Sequence, residues 1–165
     1  MQQRYTSERT CRHQFPALHR ALLDLNAWRP GDTNADIGGG KYDLVTERLA
    51  EMGVTNLVWD PHNRSDEHNV EALKLIQRGT TTATIAKVLN VIVEPEIRAE
   101  VIRLATRARA AFFHVYEGDG SGVGKKTRDG WQENRKLLSY AVEIEPYFGH
   151  VAVTTISGLR VIEAR

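Results

Sequence analysis

The stretch that decides the fold is Asn34-Ala35-Asp36-Ile37-Gly38-Gly39-Gly40-Lys41-Tyr42-Asp43. In it, an apolar strand pattern ends in three glycines, and a helix pattern begins directly after them. A second strand pattern, over residues 56–60, ends in the acid Asp60. This order of strand, glycine turn, helix, strand and acid is typical of a parallel sheet that binds a nucleotide-like ligand at the carboxyl ends of its strands. A tight turn without a ligand would use the same glycines, so both interpretations stay open.

The glycine spacing bears on which ligand the turn would bind. It reads Gly38-x-Gly40-x-x-Asp43, so an aspartate replaces the third glycine of the dinucleotide fingerprint. An acid at the start of a helix repels a pyrophosphate, which disfavours NAD and FAD. A nucleoside without phosphates fits better, and S-adenosylmethionine is the obvious candidate. Asp36 could then face its positively charged end, while Asp60 accepts hydrogen bonds from its ribose hydroxyls.

Composition places the chain among ordinary globular proteins. It has 165 residues, 41% hydrophobic and 26% charged, and its net charge of +1 gives no global attraction to nucleic acid. This length predicts one domain over residues 1–165, with an N-terminal arm and helix over 1–30 and a loosely held start over 1–12. We find no apolar stretch long enough for a membrane span or a signal peptide. The single Cys11 excludes an internal disulfide, so the sequence predicts a cytoplasmic protein.

Strand and helix patterns alternate along the chain until two final strands form a hairpin around Ser157-Gly158. This alternation predicts an α/β fold with a mostly parallel sheet and one antiparallel edge strand. We count six strands, because no clear strand pattern appears between Asp60 and Thr80. The elements expected after Asp60 are a helix over 69–78, a strand over 80–92, a helix from Pro95, a strand over 110–117, a loop over 118–130, a helix over 131–147, and strands over 150–156 and 159–164.

This layout resembles the class I methyltransferase fold, a Rossmann-like three-layer α/β/α fold whose sheet usually has seven strands. Within that fold, the chain resembles small methyltransferase-like proteins of phage genomes and methyltransferases associated with DNA phosphorothioation. The resemblance runs from about Arg12 to Ala164 and rests on the order of several motifs. These motifs are Phe15-Pro16-Ala17-Leu18-His19, Asp60-Pro61, Val88-Leu89-Asn90-Val91-Ile92 with Glu94-Pro95 and Arg98, and Thr127-Arg128-Asp129-Gly130-Trp131-Gln132.

The resemblance implies an S-adenosylmethionine-dependent methyltransferase and indicates where the cofactor would bind. The glycine turn would line the methionine side of the cofactor, and the acid after the second strand would hold the ribose. The turn at Lys87-Val88 would flank the adenine or the methyl group, where a cation opposes a sulfonium unless its amine points away. The cofactor-binding residues expected on this basis are Asp36, Gly38, Gly39, Gly40, Asp60, Pro61, Lys87 and Val88.

Two residues are candidates for catalysis. Asn90 is the polar residue nearest to the expected site and could orient an amine, although a structural role at a helix start is equally open. Glu117 ends the fifth strand and could accept a proton, or it could be a solvated loop carboxylate. The Asp/Asn-Pro-Pro-Tyr turn of base amino-methyltransferases is absent, and so is a cysteine near that position. His114 lies in an apolar strand and is interpreted as a core histidine, and no histidine spacing indicates a metal site.

Lys125, Lys126 and Trp131 are the candidate substrate-binding residues. The lysines lie in a glycine-rich loop that could clamp a phosphate-bearing substrate, and Trp131 could stack on a base. A flexible surface loop with Trp131 in the core is the alternative. The sequence therefore favours methyl transfer to nucleic acid or a nucleotide-like substrate, and either that substrate is small or a homodimer or partner protein completes the site. The rival function is a non-catalytic scaffold or partner subunit that binds S-adenosylmethionine without transferring a methyl group.

Overall fold

A six-stranded sheet forms the centre of the protein. A computed structural model describes residues 3–6 and 8–165. The strands are β1 Thr33–Ile37, β2 Thr55–Trp59, β3 Thr80–Ala86, β4 Ala108–His114, β5 Lys125–Thr127, β6 Gly130–Gln132, β7 Val151–Ile156 and β8 Leu159–Ala164. The main sheet has the order β2-β1-β3-β4-β8-β7, in which β1 to β4 are parallel and β8 is antiparallel to both neighbours. The mostly parallel sheet with a C-terminal antiparallel hairpin is therefore confirmed.

Helices cover both faces of this sheet and give three layers. The helices are α1 Ala17–Asp24, α2 Leu44–Ala50, α3 Asp66–Gln77, α4 Pro95–Ala105 and α5 Leu137–Ile144. One core contains Ile76, Ile102 and Ile144 from α3, α4 and α5, and the other contains Leu22 and Leu49 from α1 and α2. Across the described residues, none of these helices is both long and apolar enough for a membrane span.

The chain reverses direction across the sheet at β1. From β1 it passes to the edge strand β2, and α3 then leads back to β3 on the other side of β1. Within the described residues no strand lies between β2 and β3, which confirms the count of six main strands. Ligands of open α/β sheets bind where the strand order reverses, outside the carboxyl ends of the strands. The topology therefore places the glycine turn after β1 at the expected ligand position.

The expected strand over residues 80–92 is wrong beyond Ala86. The strand stops because Lys87 has a left-handed backbone with φ +60°, a conformation that an extended strand does not contain. Leu89–Val91 then form a 3₁₀ turn, in which Leu89 is buried and Val91 is partly buried against the core. A short apolar run indicates burial but does not by itself distinguish a strand from other buried structure.

The expected loop over 118–130 and helix over 131–147 are also partly wrong. Gly130, with φ +150°, closes a turn, and β5 and β6 pair as an antiparallel hairpin with Lys126 opposite Trp131. Helix α5 begins only at Leu137, and β4 ends at His114 rather than at residue 117. Long-range bonds fix the hairpin, since the Gln132 Nε2 atom donates to the Tyr116 carbonyl over 2.9 Å. Such bonds leave no local pattern in the sequence.

The N-terminal arm, residues 3–6 and 8–16, packs across the carboxyl edge of the sheet. The Arg4 N–H donates to Glu94 Oε1 over 3.0 Å, and the Tyr5 ring stacks on Trp131 at 5.3 Å between centroids and 10° between planes. The structure thus gives these residues contacts with the rest of the chain, and a loosely held start stays a prediction. Residues 1, 2 and 7 of that segment lie outside the described residues.

Candidate functional site

A cavity of about 860 Å³ opens at the carboxyl edge of the sheet. We call its two halves the β1–β2 side, around the glycine turn, and the β3–β4 side, between the ends of those strands and the start of α1. The N-terminal arm and the β5–β6 hairpin close the remaining walls. The volume falls in the range of about 300–1,000 Å³ that small-molecule sites occupy. The predicted cofactor-binding residues that line it are Gly38, Gly39, Gly40, Asp60, Pro61, Lys87 and Val88.

The glycine turn has no room for side chains. Gly38 and Gly40 have φ values of +76° and +75°, which L side chains rarely adopt. A Cβ atom on Gly38 would lie 2.4 Å from Val88 Cγ2, and one on Gly40 would lie 2.5 Å from Cys11 Sγ. Glycine is therefore required here by the backbone conformation and by the close approach of neighbouring side chains.

Asp36 lies beneath the turn rather than in the cavity wall. Its carboxylate is buried, accepts a hydrogen bond from Thr84 Oγ1 over 3.3 Å, and lies 3.5 Å from His19 Nε2. A Cβ atom on Gly39 would come within 2.7 Å of Asp36 Cγ, so this carboxylate supports the turn from below. Direct contact between Asp36 and the methionine side of a cofactor stays a prediction.

The carboxylate of Asp60 is already bonded within the protein. It accepts from the N–H groups of Gly40 at 2.9 Å and of His62 and Asn63 at 3.0 Å each. The Asn63 side-chain amide lies 3.2 Å from both carboxylate oxygens. Because a carboxylate offers about four acceptor positions, these bonds nearly fill it and hold the glycine turn against the end of β2. The ribose role of Asp60 stays a prediction, and it requires the Asn63 amide to move away.

Asp43 is compensated by a neighbouring cation. Arg64 Nη2 donates to Asp43 Oδ1 over 2.7 Å, and Arg64 Nε donates to the Gly40 carbonyl over the same distance. The negative charge expected to repel a pyrophosphate is therefore offset by the Arg64 guanidinium. The charge argument against NAD and FAD is weaker than the sequence indicated, while the missing third glycine still disfavours them.

Both catalytic candidates make internal hydrogen bonds. Asn90 lines the cavity but is buried, and its Nδ2 donates to Gln132 Oε1 over 3.1 Å while its Oδ1 accepts from the Tyr116 N–H over 3.3 Å. These bonds tie the hairpin to the ends of β3 and β4. Glu117 lies outside the cavity lining of the described chain, and its Oε1 accepts the Leu137 N–H at the start of α5 over 2.5 Å.

Two of the three substrate-binding candidates lie at the cavity. Lys125 lines it, and its Nζ pairs with Asp119 Oδ2 at 3.4 Å. Trp131 also lines it, with one ring face covered by the stacked Tyr5, so only the other face could receive a base. Lys126 instead lies 6.0 Å from the Tyr5 ring centroid, outside the described lining.

The β3–β4 side contains His114, which sequence analysis interpreted as a core residue. His114 is the last residue of β4 and lines the cavity. Its Nδ1 atom lies 3.1 Å from the Arg160 carbonyl, which can only accept, so Nδ1 carries a proton. Burial lowers the pKa of the imidazole below its ordinary value, and the bond to Arg160 opposes this shift. The position of His114 at the carboxyl end of a parallel strand is the sequence signal that could have identified it.

Cations without acidic partners also line the cavity. Arg12, Arg20 and Lys87 border the cavity, and none of them makes an ion pair with another described residue. Unpaired positive charge in a concave site attracts anions. Sequence analysis missed Arg12 and Arg20 because they precede the sheet and reach the cavity only through tertiary packing.

Solved structures of three methyltransferases share the fold of this chain. A 1,6-didemethyltoxoflavin-N1-methyltransferase from Burkholderia thailandensis, solved with 1,6-didemethyltoxoflavin and S-adenosylhomocysteine, superposes with a TM-score of 0.65 at 17% identity, over 91% of this chain and 78% of that one. The protein has the class I methyltransferase fold. This result confirms the Rossmann-like fold class that the sequence predicted.

Two further structures support the same fold. A 16S rRNA N2 methyltransferase from T. thermophilus, solved with AdoMet and guanosine, gives a TM-score of 0.55 at 14% identity, over 93% of this chain and 44% of that one. A TehB-like SAM-dependent methyltransferase from Corynebacterium glutamicum gives a TM-score of 0.52 at 13% identity, over 90% of this chain and 86% of that one. No family model and no curated protein sequence matches the chain.

Proposed function

We propose that the protein is an S-adenosylmethionine-dependent methyltransferase that acts on a small, anionic, nucleotide-like acceptor. The observation that carries this proposal is the side-chain-free turn at Gly38–Gly40, which borders a ligand-sized cavity where the strand order reverses. Two of the structural neighbours were solved with AdoMet or S-adenosylhomocysteine, which supports the same cofactor for this chain.

The residues around the turn suit this cofactor. Gly38 to Gly40 leave the backbone open to close approach, and Pro61 and Val88 supply apolar walls. S-adenosylmethionine supplies a methyl group activated by a positively charged sulfur. The protein then has to align the acceptor with that methyl group and exclude water. The exposed side chain of Lys87 can extend towards an anionic acceptor instead of the sulfonium.

Charge and size favour a single nucleotide unit as the acceptor. The unpaired Arg20 and Lys87 provide positive charge for a phosphate or carboxylate on the β3–β4 side. Arg12 adds positive charge to the same cavity, next to Cys11, which contacts the glycine turn. The cavity of about 860 Å³ is closed by the arm and the hairpin, so a double helix cannot enter it without extruding a nucleotide. A free nucleotide or an unpaired nucleotide of a single strand satisfies both conditions.

A non-catalytic scaffold or partner subunit that binds the cofactor is the second candidate. The internal hydrogen bonds of Asn90 and Glu117 favour it, because neither side chain is free to act on a substrate. Three finer assignments rest on the sequence alone and stay predictions. These are the relation to phage and phosphorothioation-associated proteins, the cytoplasmic location, and a homodimer or partner protein that completes the site.

Methyl transfer from tritium-labelled S-adenosylmethionine tests these functions directly. The acceptors are a panel of nucleosides, nucleotides and single-stranded oligonucleotides, and cofactor binding is measured in parallel by calorimetry. We expect label in nucleotides or single strands and none in duplexes. Cofactor binding without transfer to any acceptor would support the scaffold, and a folded protein that binds no cofactor would overturn both functions.

A further inference from the structure

We propose that the ends of β3 and β4 form the acceptor subsite, in which His114 Nε2 takes the proton that the acceptor loses on methylation. This inference rests on the proposed function and names a residue for its chemical step. It predicts an acceptor whose nucleophilic atom is a nitrogen or oxygen that carries a hydrogen.

The order of strands places His114 on the side from which an acceptor must approach. Along the carboxyl edge, the sequence of strand ends is Asp60, the glycine turn, Lys87 and His114. His114 is thus two strands from β1, a distance of about 10 Å at the usual strand spacing. The backbones meet here, since the Lys87 N–H donates to the His114 carbonyl over 2.7 Å. A cofactor on the glycine turn leaves this end of the cavity for the acceptor.

The hydrogen bonds of His114 leave one ring nitrogen available. Nδ1 is the donor to the Arg160 carbonyl, so in the neutral ring Nε2 is the unprotonated nitrogen. Within the described part of the chain, Nε2 has no hydrogen-bond partner. A ring nitrogen with a lone pair at a cavity wall is the arrangement that a general base requires.

The surroundings of His114 keep the ring neutral. Burial is the largest influence and lowers the pKa, the nearby Lys87 cation also lowers it, and the Arg160 carbonyl and the Glu117 carboxylate raise it. The base form of His114 is therefore the populated form at neutral pH.

Asp60, among the other proton acceptors of the cavity wall, is bonded to the glycine turn. His62 resembles His114, because its Nε2 lies 2.7 Å from Gln3 Oε1, which can only accept, so its Nδ1 keeps a lone pair. His62 follows β2, however, and therefore lies at the cofactor end of the cavity. Asp119 accepts from Ser121 and pairs with Lys125. Of the two lining histidines that each leave one ring nitrogen open in the described chain, His114 is the one at the acceptor end of the cavity.

The proposed step balances as a nucleophilic substitution. The lone pair of the acceptor nitrogen or oxygen forms a bond to the methyl carbon, and the bond between that carbon and sulfur breaks with its electron pair left on sulfur. The acceptor proton passes to the lone pair of His114 Nε2, which becomes an imidazolium. Solvent later removes that proton, and no oxidant or reductant is involved.

The tautomer of His114 can be tested without a substrate. We expect ¹⁵N NMR of the wild-type protein, alone and with S-adenosylhomocysteine, to show His114 neutral at pH 7 with the proton on Nδ1. His114→Asn supplies the assignment and keeps an amide that can donate to the Arg160 carbonyl. A proton on Nε2 at pH 7 would overturn the inference even if the protein is a methyltransferase.

The kinetic test compares His114→Asn with His150→Asn, an exposed histidine before β7. With the best acceptor of the nucleotide panel, we expect His114→Asn to bind S-adenosylhomocysteine normally and to lose about 100-fold or more in transfer rate. The wild-type rate should fall as the pH drops through a pKa below the ordinary histidine value, and His114→Asn should lack this dependence. A wild-type rate and pH profile in His114→Asn would overturn the inference. Failure of the folded wild-type protein to bind cofactor would instead contradict the proposed function.

Discussion

The two sides of the cavity are built in opposite ways. On the β1–β2 side, polar groups bond to one another, since Asp60 accepts from Gly40 and Arg64 pairs with Asp43. On the β3–β4 side, the Lys87 side chain makes no ion pair within the described chain, and His114 Nε2 has no described partner. A polar group that is already bonded can shape a site, whereas an open one can bind or react with a ligand. We infer that the first side is a preformed support for the cofactor and that the second side acts on the acceptor.

Replacing Asp60 should give the largest effect on the β1–β2 side. Asp60→Ala removes the acceptor for the buried N–H group of Gly40 and the partly buried N–H groups of His62 and Asn63, so we expect a loss of about 3 kcal/mol in the free energy of unfolding. Cofactor affinity should fall as well, because the glycine turn loses the carboxylate that holds it against the end of β2. Urea denaturation measures the free energy of unfolding, and calorimetry measures the cofactor affinity. Asp60→Asn keeps one acceptor oxygen and should lose less stability, while unchanged stability in Asp60→Ala would show that the carboxylate serves only a ligand.

A methyl group in the glycine turn should give the next largest effect. Gly38→Ala places a Cβ against Val88 and should cost about 1–3 kcal/mol in stability from overpacking, in addition to the backbone cost. Its affinity for S-adenosylhomocysteine should fall about tenfold or more, which corresponds to about 1.4 kcal/mol.

Gly158→Ala is the matched control, because Gly158 has φ +80° and a Cβ there meets nothing within 4 Å. We expect it to cost about 1 kcal/mol in stability and to leave cofactor affinity unchanged. Equal affinities for the two variants would mean that the turn does not contact the cofactor.

On the β3–β4 side, Lys87 combines a strained backbone with an unpaired charge. Lys87→Gly relieves the left-handed strain and should change stability by no more than about 1 kcal/mol, while weakening binding of guanosine monophosphate. Lys87→Gln keeps the strain and removes the charge, so it should weaken nucleotide binding equally without the backbone effect. Tight nucleotide binding in both variants would contradict an anion-binding role.

The pH dependence of stability should give the smallest effect. The folded-state pKa of His114 lies below its unfolded value, so the unfolded chain binds more protons as the pH falls from the ordinary histidine value to the lowered one. This contribution to stability should be present at neutral pH and lost on acidification through that window. Thermal unfolding of wild-type and His114→Asn proteins between neutral and mildly acidic pH measures it. A parallel pH dependence in the two proteins would contradict the lowered pKa.

The sequence predicted the fold of the β1–β2 side well because the determinants there are local. Glycines at a strand end and an acid after the next strand lie within a single strand-turn-helix-strand unit. The terminal hairpin and the missing third strand were likewise confirmed, since both depend on patterns of a few residues. What the sequence did not show is that Asp60 and Asp43 are already bonded, because Asn63 and Arg64 reach them only after the loop folds back.

The β3–β4 side was predicted less well because tertiary contacts determine it. The end of β3 is set by the left-handed Lys87, a conformation that no local pattern indicates for lysine. The β5–β6 hairpin depends on bonds from Gln132 to Asn90 and Tyr116, which are distant in the chain. His114 resembled a core residue in an apolar strand, and only the pairing of β4 with its neighbours shows that it ends at the cavity.

Calorimetric titration of the wild-type protein with S-adenosylhomocysteine tests the central claim most directly. We predict saturable binding at one site per chain, weakened in Gly38→Ala and retained in Gly158→Ala. A folded wild-type protein that gives no binding heat at several temperatures, or Gly38→Ala binding with wild-type affinity, would contradict the account of the glycine turn as the cofactor support.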